Sequence, residues 1–304
     1  MFGSIVYYLR NKEARKLKLL SIFGKNMSDE EYTKKIYRIM VGRELNLTNP
    51  QTYTEKLQWL KLNDRKPEYT MMQDKYGVRD YIAKTIGEEY LVPLLGVWND
   101  VNDIDFDQLP NQFVLKCNHD CASVIICRDK KALDIEFAKN KLNTCLHKNY
   151  YYSSREWAYK NIKPVIIAEK YMYNKNGEPL IDYKFFCFSG KAQMVYLGTG
   201  EPHTDQQRID YFDMEFNHLP IKRGAIPWSD QQLVKPKGFE ELITLAEKLA
   251  GSIPFIRVDF YLIDDHPYFG EFAFYPSAGL SEFIPHEWEK KVGEWIQLPY
   301  ESIH

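Results

Sequence analysis

Apolar residues recur every three or four positions in several stretches of the chain, which is the pattern of amphipathic helices. The first stretch follows Ser28-Asp29-Glu30-Glu31, a capping box that marks the start of a helix. Further helices are predicted over 54–62, 71–86, 133–146, 238–250 and 287–296, and Gly87 ends the second of these. The first 90 residues are therefore predicted to be mainly helical.

Alternating or continuous apolar runs bounded by Gly, Asn, Asp and Pro predict β-strands in most of the remaining chain. Short strands are expected over 91–97 and 111–119, and from Pro164 longer runs predict an antiparallel, meander-like sheet. No repeat or flexible linker separates independent modules. We therefore expect an α+β fold with a helical N-terminal region (1–90), a first lobe (91–170) and a second lobe (171–304) that share one site.

Charge and composition narrow the classes of function. The 304 residues include 40 Lys plus Arg and 42 Asp plus Glu, a formal charge of −2, so no overall positive field favours nucleic acid. Aromatic residues make up 15%, which suits packed sheets and pockets for planar or sugar ligands. Five cysteines, an odd number, argue against a disulfide framework, and a reducing cytoplasm is the expected location.

The N-terminal stretch MFGSIVYYLRNKEARKLKLLSIF has a short apolar part followed by its basic residues, the reverse of a secretory signal. No window approaches the 18 apolar residues of a membrane-spanning helix. The stretch predicts either an ordinary terminal helix packed on the domain or a basic amphipathic helix that touches the inner face of a membrane or a partner. The sequence leaves the oligomeric state open.

Two acidic residues stand out in the strand-like runs FIRVDFY and YFGEFAF. If a five-residue loop joins the runs, Asp259 pairs opposite Glu271, with Arg257 on the same face as Asp259. Like charges opposed in a ladder are destabilising, so a cation between them is expected, and oxygen ligands of this kind suit Mg²⁺ with bridging phosphates. The alternative is that Arg257 neutralises one acid and no metal binds.

Two lysines lie inside otherwise apolar or aromatic strands, Lys116 in FVLKCNH and Lys184 in DYKFFCF. A charged amine is rarely placed there without a partner, which a polyphosphate would supply. Each lysine alone is also compatible with a sheet edge whose side chain reaches solvent. Together with the paired acids, they predict a nucleoside triphosphate site that has neither a P-loop nor a Rossmann motif.

The order of these motifs resembles the ATP-grasp superfamily, and most closely its TupA-like branch, which is associated with bacterial surface polysaccharides. A strand lysine, a small-residue loop, a strand ending in an acid (IIAEKYM), a second lysine and a late acid pair follow one another, and TEKLQWLKLNDR and DKYGVRDYI are also similar to that branch. The resemblance covers roughly residues 28 to 298. It implies two sheet-containing lobes that clasp ATP, with the helical N-terminal region packed against them.

The resemblance also implies roles for individual residues. Lys116 and Lys184 would contact ATP phosphates, and Asp259 and Glu271 would hold Mg²⁺. Arg257 and Lys184 are the expected catalytic residues. Arg257 would steady the transferred phosphate or the acyl phosphate formed from it. A loop over the phosphates (118–123) and a hinge whose backbone bonds adenine (168–172) would supply the other nucleotide-binding residues, namely Asn118, His119, Ser123, Glu169, Lys170 and Met172.

The function that this resemblance implies is ATP-dependent carboxylate–amine ligation through an acyl phosphate, with a uronic acid of a capsule or other surface polysaccharide as acceptor. The amine would be an amino acid or a small amino alcohol. Two departures from the family pattern keep a second interpretation open, that of a non-catalytic ATP-grasp binding protein. The phosphate loop contains no glycine and includes Asp120, which would repel phosphate, and Ala273 replaces a metal-binding Asn.

A third interpretation rests on Asp264-Asp265-His266, which resembles the metal motif of nucleotide-sugar glycosyltransferases and would use Mn²⁺. Its position between two strands instead favours a polar hairpin turn.

The stretch 200–229 is expected to be a long, loop-rich insertion, of the kind that forms lids or binding surfaces. Within it, Arg223 precedes Gly224. A guanidinium fork matches a carboxylate, and glycine permits close approach of a ligand. We therefore predict that Arg223 binds the acceptor carboxylate, with a solvated surface charge as the alternative.

Overall fold

The computed structural model describes residues 11–200 and 204–300. Its helices are α1 (Lys12–Phe23), α2 (Asp29–Met40), α3 (Tyr53–Asn63), α4 (Pro67–Gln73), α5 (Val78–Thr85), α6 (Ile135–Leu146), α7 (Tyr151–Ser154), α8 (Phe239–Ala250) and α9 (Glu287–Trp295). Its strands are β1 (Leu94–Trp98), β2 (Phe113–Cys117), β3 (Ile125–Cys127), β4 (Ile166–Lys170), β5 (Asp182–Phe188), β6 (Lys191–Thr199), β7 (Arg208–Phe212), β8 (His218–Leu219), β9 (Lys222–Arg223), β10 (Phe255–Ile263), β11 (His266–Ala273) and β12 (Phe283–Ile284). The expected α+β class is confirmed.

The described strands form two main sheets and one short ladder. The small sheet has the order β1-β4-β2-β3, the large sheet has the order β11-β10-β5-β6-β7-β8, and β12 pairs with β9. All strand pairs in these sheets are antiparallel. The chain passes from the small sheet to the large one after β4, where the predicted boundary at 170/171 lies; the three-region division itself stays a prediction.

Each of the two main sheets buries one face against a helix. Phe113, Leu115 and Cys117 of β2 pack with Leu142 of α6 in the core of the small sheet. On the large sheet, the Phe185 ring contacts that of Phe239 at the start of α8. These helices leave the opposite faces of the two sheets available for other contacts.

The opposite face of the large sheet is partly covered by the N-terminal region. Tyr53, the first residue of α3, has its ring against those of Phe186, Phe255 and Phe283. The helix starts there because Thr52 and Glu55 form a complete capping box. Helix α3 also packs against α9, so the N-terminal and C-terminal helices both lie on this face.

One element of the N-terminal region differs from the sequence expectation. The helix predicted over 71–86 is two helices, α4 and α5, because Asp74 accepts the Tyr76 N–H through its side chain and the Lys75 N–H bonds to the Asn118 carbonyl. Residues 1–10 of the predicted basic helix lie outside the described residues. In the described ranges, no helix is long and apolar enough to cross a bilayer.

The hairpin β10–β11 has the predicted pairing of Asp259 with Glu271 but a different turn. The loop has two residues, Asp264 and Asp265, both with positive φ, and not five. The register then shifts by one between Asp259 and Phe260, so that Gly270 forms a bulge. A Cβ at Gly270 would lie 3.2 Å from the Asp259 carbonyl oxygen, which explains the glycine.

The stretch 200–229 is loop-rich in its described part, as expected, but it also contains three short strands that the sequence did not predict. Strand β7 extends the large sheet, β8 extends it further, and β9 pairs with β12. The apolar residues of RIDYF are buried in the sheet, which accounts for the strand β7. The role of the stretch as a lid or binding surface stays a prediction.

Candidate active site

One row of side chains crosses the open face of the large sheet. Glu271, Asp259, Lys184, Tyr196 and Tyr211 lie opposite one another in successive antiparallel strand pairs, from β11 to β7. Opposed residues of this kind point to the same face of the sheet. The row therefore carries two acids and a base at one end and two tyrosines at the other.

Asp259 is held by two bases at once. Arg257 Nε lies 2.7 Å from Asp259 Oδ1, and Arg257 Nη2 and Lys184 Nζ lie 2.6 and 2.7 Å from Oδ2. Burial lowers the pKa of Lys184, but Asp259, Tyr196 and Asp182 together outweigh it and hold that pKa above its ordinary value. The predicted neutralisation of one acid by Arg257 is thus present, together with a second cation.

Glu271 is the more accessible acid, with 34% of its side chain exposed. Lys75 Nζ lies 3.3 Å and Arg257 Nη2 3.7 Å from its oxygens. Burial raises its pKa, but Lys75, then Lys184, Arg257 and Lys116, outweigh this and lower the pKa to about 2. Glu271 is therefore a carboxylate at all physiological pH values.

The small sheet contributes a second charged pair that faces the same gap. Lys116 Nζ lies 2.5 Å and Arg79 Nη1 3.6 Å from the carboxylate of Glu169. Lys116 also acts on the pKa of Glu271, so the strand lysines of the two sheets converge, as the sequence predicted. Glu169 is thus paired with both cations.

Lys75 and Arg79 are basic residues of the site that received no role from the sequence. Lys75 Nζ donates to the Asp120 carbonyl at 2.8 Å, in addition to its contact with Glu271. Both lie in DKYGVRDYI, a segment that is similar to the TupA-like branch and could have identified them. The helical pattern instead placed them on an ordinary helix face. Their role depends on the break between α4 and α5.

The loop 118–123 has its polar side chains turned inward. Asn118 donates to Asp74 and to the Lys163 carbonyl, and His119 bonds to the Lys148 carbonyl at 2.9 Å. Ser123 Oγ donates to Asp120 Oδ1 at 2.5 Å and accepts the Cys117 N–H. The side chains of Asn118, His119, Asp120 and Ser123 thus hold the shape of the loop, and their contact with phosphate stays a prediction.

The hinge residues Lys170 and Met172 lie where the chain leaves the small sheet. The Lys170 N–H bonds to the Pro93 carbonyl at 2.9 Å, while its side chain is exposed. Met172 is half-buried in the connection to β5. Their contact with adenine stays a prediction.

Arg223 lies at the far end of the row and is not a solvated charge. It is only 9% exposed, and its Nε donates to Ser281 Oγ at 3.1 Å.

Asp264 and Asp265 form the β10–β11 turn, and each pairs with a lysine at 3.4 Å, Lys175 and Lys237. The hairpin-turn interpretation of these acids is confirmed.

The model of the TupA-like ATPgrasp family matches residues 55–297, which is most of the chain. The chain belongs to this family. The match includes every residue of the row and both strand lysines, and it begins later than the residue 28 at which the resemblance was expected to start. The expected ATP-grasp fold is confirmed by this membership.

Solved structures of ATP-grasp enzymes are similar to this family member at low identity. D-alanine–D-alanine ligase from Bacillus anthracis complexed with ATP is 17% identical, with 67% of this chain and 55% of that chain covered and a TM-score of 0.37. The same ligase from Helicobacter pylori is 14% identical, with 82% and 70% covered and a TM-score of 0.42. The chain thus spans about half the length of the first of these, and at such scores the family assignment rests on the family model alone. No protein of curated function matches the chain in sequence.

The donor set of this ATP-grasp protein fits Mg²⁺ that arrives with a nucleotide. In residues 11–200 and 204–300, no three His, Cys, Asp or Glu side chains gather into a group that could hold a metal by itself. Asp259 and Glu271 would supply two hard oxygen ligands, and phosphates and water would supply the others. Glu271 is open to an ion, whereas Asp259 would have to exchange one of its basic partners.

Proposed function

We propose that the protein is an ATP-dependent, Mg²⁺-requiring carboxylate–amine ligase. The observation that carries the proposal is the row Glu271–Asp259–Lys184 with Arg257 beside it, opposed by Lys116 and Glu169 from the small sheet. Three bases on two sheets, Lys184, Arg257 and Lys116, suit a polyphosphate, and the paired acids Asp259 and Glu271 suit its counter-ion.

The reaction has two balanced steps. An oxygen of the acceptor carboxylate attacks the γ-phosphorus of ATP, the bond from that phosphorus to the β,γ-bridging oxygen breaks, and ADP leaves. The amine nitrogen then attacks the acyl carbon, the acyl–oxygen bond to phosphate breaks, and the nitrogen loses a proton. Bound Mg²⁺ would neutralise charge on the phosphate oxygens.

The protein's own groups bind and orient the reactants, since phosphoryl transfer needs positioning and charge stabilisation more than covalent help. Lys116 and Lys184 would hold the phosphates from opposite sheets. Arg257 would face the transferred phosphate, because its planar guanidinium can donate to two oxygens at once. Lys75 would keep the loop 118–123 against the acids through its bond to the Asp120 carbonyl.

The acceptor that we propose is a uronic acid of a capsule or other bacterial surface polysaccharide precursor, and the amine is an amino acid or a small amino alcohol. This is supported by the resemblance of the chain to the TupA-like branch and by Arg223, a buried base suited to a carboxylate.

The test is ADP formation by Asp259→Asn and by Asp264→Asn, the same substitution at two positions of one hairpin. We expect Asp259→Asn to lower turnover by about 100-fold or more, because a ligand of the metal and a partner of two bases is lost. Asp264→Asn should retain turnover, since Asn tolerates the positive φ of the turn. Loss of ADP formation in Asp264→Asn with ADP formation retained in Asp259→Asn would contradict the ligase.

We also propose that α1 touches the inner face of the membrane, near membrane-bound glycan precursors. Leu19, Ile22 and Phe23 are exposed on this helix, next to four basic residues, Lys12, Arg15, Lys16 and Lys18. Exposed apolar and basic residues on one helix suit an anionic bilayer surface. Co-sedimentation with anionic but not neutral vesicles, lost in Ile22→Glu/Phe23→Glu, is the expected result, and equal sedimentation of both proteins would overturn it.

A further inference from the structure

Three buried polar atoms beyond the tyrosine end of the row lack a hydrogen bond of good geometry in the described part of the chain, namely Tyr53 Oη, Tyr211 Oη and Arg223 Nη2. Tyr53 is 1% exposed and Tyr211 0%. The rings of Tyr53 and Tyr211 both lie against Phe283, which pairs with Arg223 in the β9–β12 ladder. Burial raises the pKa of both hydroxyls, whereas Arg223 lowers it, and for Tyr211 it does so also as a hydrogen-bonding neighbour.

A buried guanidinium without an acid is unusual, because an isolated charge is expensive to remove from water. Arg223 forms no ion pair within residues 11–200 and 204–300, and Ser281 Oγ is its hydrogen-bond acceptor. Glu289 of α9 lies near Tyr53 but accepts the Thr54 N–H at 3.2 Å. The charge of Arg223 therefore lacks a counter-ion that the described chain supplies.

The position of these groups connects them to the phosphate-binding end of the row. Tyr211 is opposite Tyr196, and Tyr196 is opposite Lys184. Two strand spacings separate Lys184 from Tyr211, about 10 Å between backbones. The Arg257 guanidinium lies 5.9 Å and Lys184 Nζ 5.8 Å from the Tyr196 ring centroid. Tyr211 therefore lies two strands from Lys184, the lysine that we propose contacts phosphate.

We propose that Arg223, Tyr211 and Tyr53 form a carboxylate-binding subsite for the acceptor. The guanidinium supplies the charge, and the two hydroxyls supply neutral donors on the same anion. The subsite rests on the proposed function only in assigning the carboxylate to the ligase substrate. It gives the N-terminal region a direct part in the site, because Tyr53 begins α3.

Arg223 lies in a short ladder formed by β9 and β12. Strands β9 and β12 contain two residues each, and Arg223 pairs with Phe283 in that ladder. The neighbours Lys222 and Ile284 are exposed.

Stability gives the first test, since it needs no ligand. Arg223→Met removes an uncompensated buried charge, so we expect an unchanged or raised Tm, and the same for Tyr53→Phe/Tyr211→Phe. Lys222→Met, on the adjacent exposed position, is the matched control. A fall in Tm of more than about 5 °C for both test variants, a shift that exceeds 1 kcal/mol in a chain of this size, would show structural roles and overturn the proposal.

Ligand response gives the second test. The probes are acetate, D-glucuronate and D-galacturonate, compared with D-glucose and with sodium chloride at equal ionic strength. At ten times its Kd, a bound carboxylate should raise the Tm of the wild type and of Lys222→Met by about 3 °C, and should leave Arg223→Met unchanged. Equal shifts in all three proteins, or none with any carboxylate, would overturn the subsite.

MgADP separates this proposal from the proposed function. Arg223→Met should keep the Tm rise that MgADP gives the wild type, because Arg223 contacts none of the phosphate-binding residues. If MgADP has no effect on any protein, the ligase proposal fails while the carboxylate results still decide the subsite.

Discussion

Two buried arginines of this protein are treated in opposite ways by their surroundings. Arg155, 1% exposed, donates to the Gly24 and Lys25 carbonyls, lies 3.6 Å from Asp29 and has its guanidinium over the rings of Tyr32, Tyr151 and Tyr152. Arg223, 9% exposed, has Ser281 Oγ as its acceptor and no acid in the described chain.

Each of the two has one guanidinium nitrogen without a hydrogen-bond partner, Arg155 Nε and Arg223 Nη2, so the contrast lies in their counter-ions. Around Arg155 the fold supplies Asp29, carbonyls and aromatic faces, so the guanidinium fixes α1 and α2 to the middle of the chain. Within residues 11–200 and 204–300, Arg223 has no acidic partner, and we propose that its charge pairs with a ligand. Arg257 shows the third arrangement, a base paired with an acid that can exchange partners with a ligand.

The largest effect is expected from Arg155→Met. Its loss leaves the buried Gly24 carbonyl and the Lys25 carbonyl without this donor and weakens the neutralisation of Asp29, which should lower the free energy of unfolding by about 3–5 kcal/mol. Urea denaturation measures it, with Arg223→Met as the matched substitution. Similar losses in the two variants would remove the contrast between these arginines.

Glu289 sharpens the comparison, because an ionised Glu289 could neutralise Arg223. Burial raises the pKa of Glu289 to about 7, from 4.5. An acid whose folded pKa is raised binds more protons in the native state, so stability falls as pH rises from about 4.5 to about 7, by about 3 kcal/mol in total.

Urea denaturation of the wild type and Glu289→Gln at pH 5 and pH 8 checks this expectation. The wild type should lose stability between the two pH values, and Glu289→Gln should lose much less. A wild type that becomes more stable at pH 8 would indicate that Glu289 is an ionised partner, and Arg223 would then not lack a counter-ion.

A smaller effect is expected at Lys75, which links the loop 118–123 to the acids. Lys75→Met should raise the KM for ATP about tenfold, equivalent to about 1.4 kcal/mol, and leave kcat for the acceptor step nearly unchanged. Because Lys75 is the largest charge that lowers the pKa of Glu271, the acidic limb of the rate profile should also move to higher pH. Lys84→Met, at an exposed position of α5, is the control, and equal kinetics of the two variants would exclude Lys75 from the site.

Much of the site follows from local pattern in the sequence. Period-two alternation predicted that Asp259 and Arg257 lie on the same face of their strand. Lys116 and Lys184 were identified because they are charged residues inside otherwise apolar strands. The pairing of Asp259 with Glu271 was predicted correctly for the wrong reason, since a two-residue turn and a bulge at Gly270 give the same register as a five-residue loop. Local pattern does not distinguish these two routes.

The features that sequence reasoning missed depend on contacts between distant residues. The break between α4 and α5 is stabilised by Asn118, whose side chain donates to Asp74 and whose carbonyl accepts the Lys75 N–H. The helical periodicity over 71–86 cannot predict this contact, because Asn118 lies outside that stretch. The burial of Arg223 likewise comes from pairing of β9 with β12, strands of two residues that are too short for a pattern.

Trapping of the activated acceptor by hydroxylamine tests the central claim most directly, because hydroxylamine replaces the unidentified amine. The protein is incubated with MgATP, a uronic acid and hydroxylamine, and the hydroxamate and ADP are quantified. We expect equal amounts of hydroxamate and ADP in the wild type and in Asp264→Asn, and neither above background in Asp259→Asn. ADP formed without hydroxamate across the panel of uronic acids, or hydroxamate formed equally by Asp259→Asn, would contradict carboxylate activation at this site.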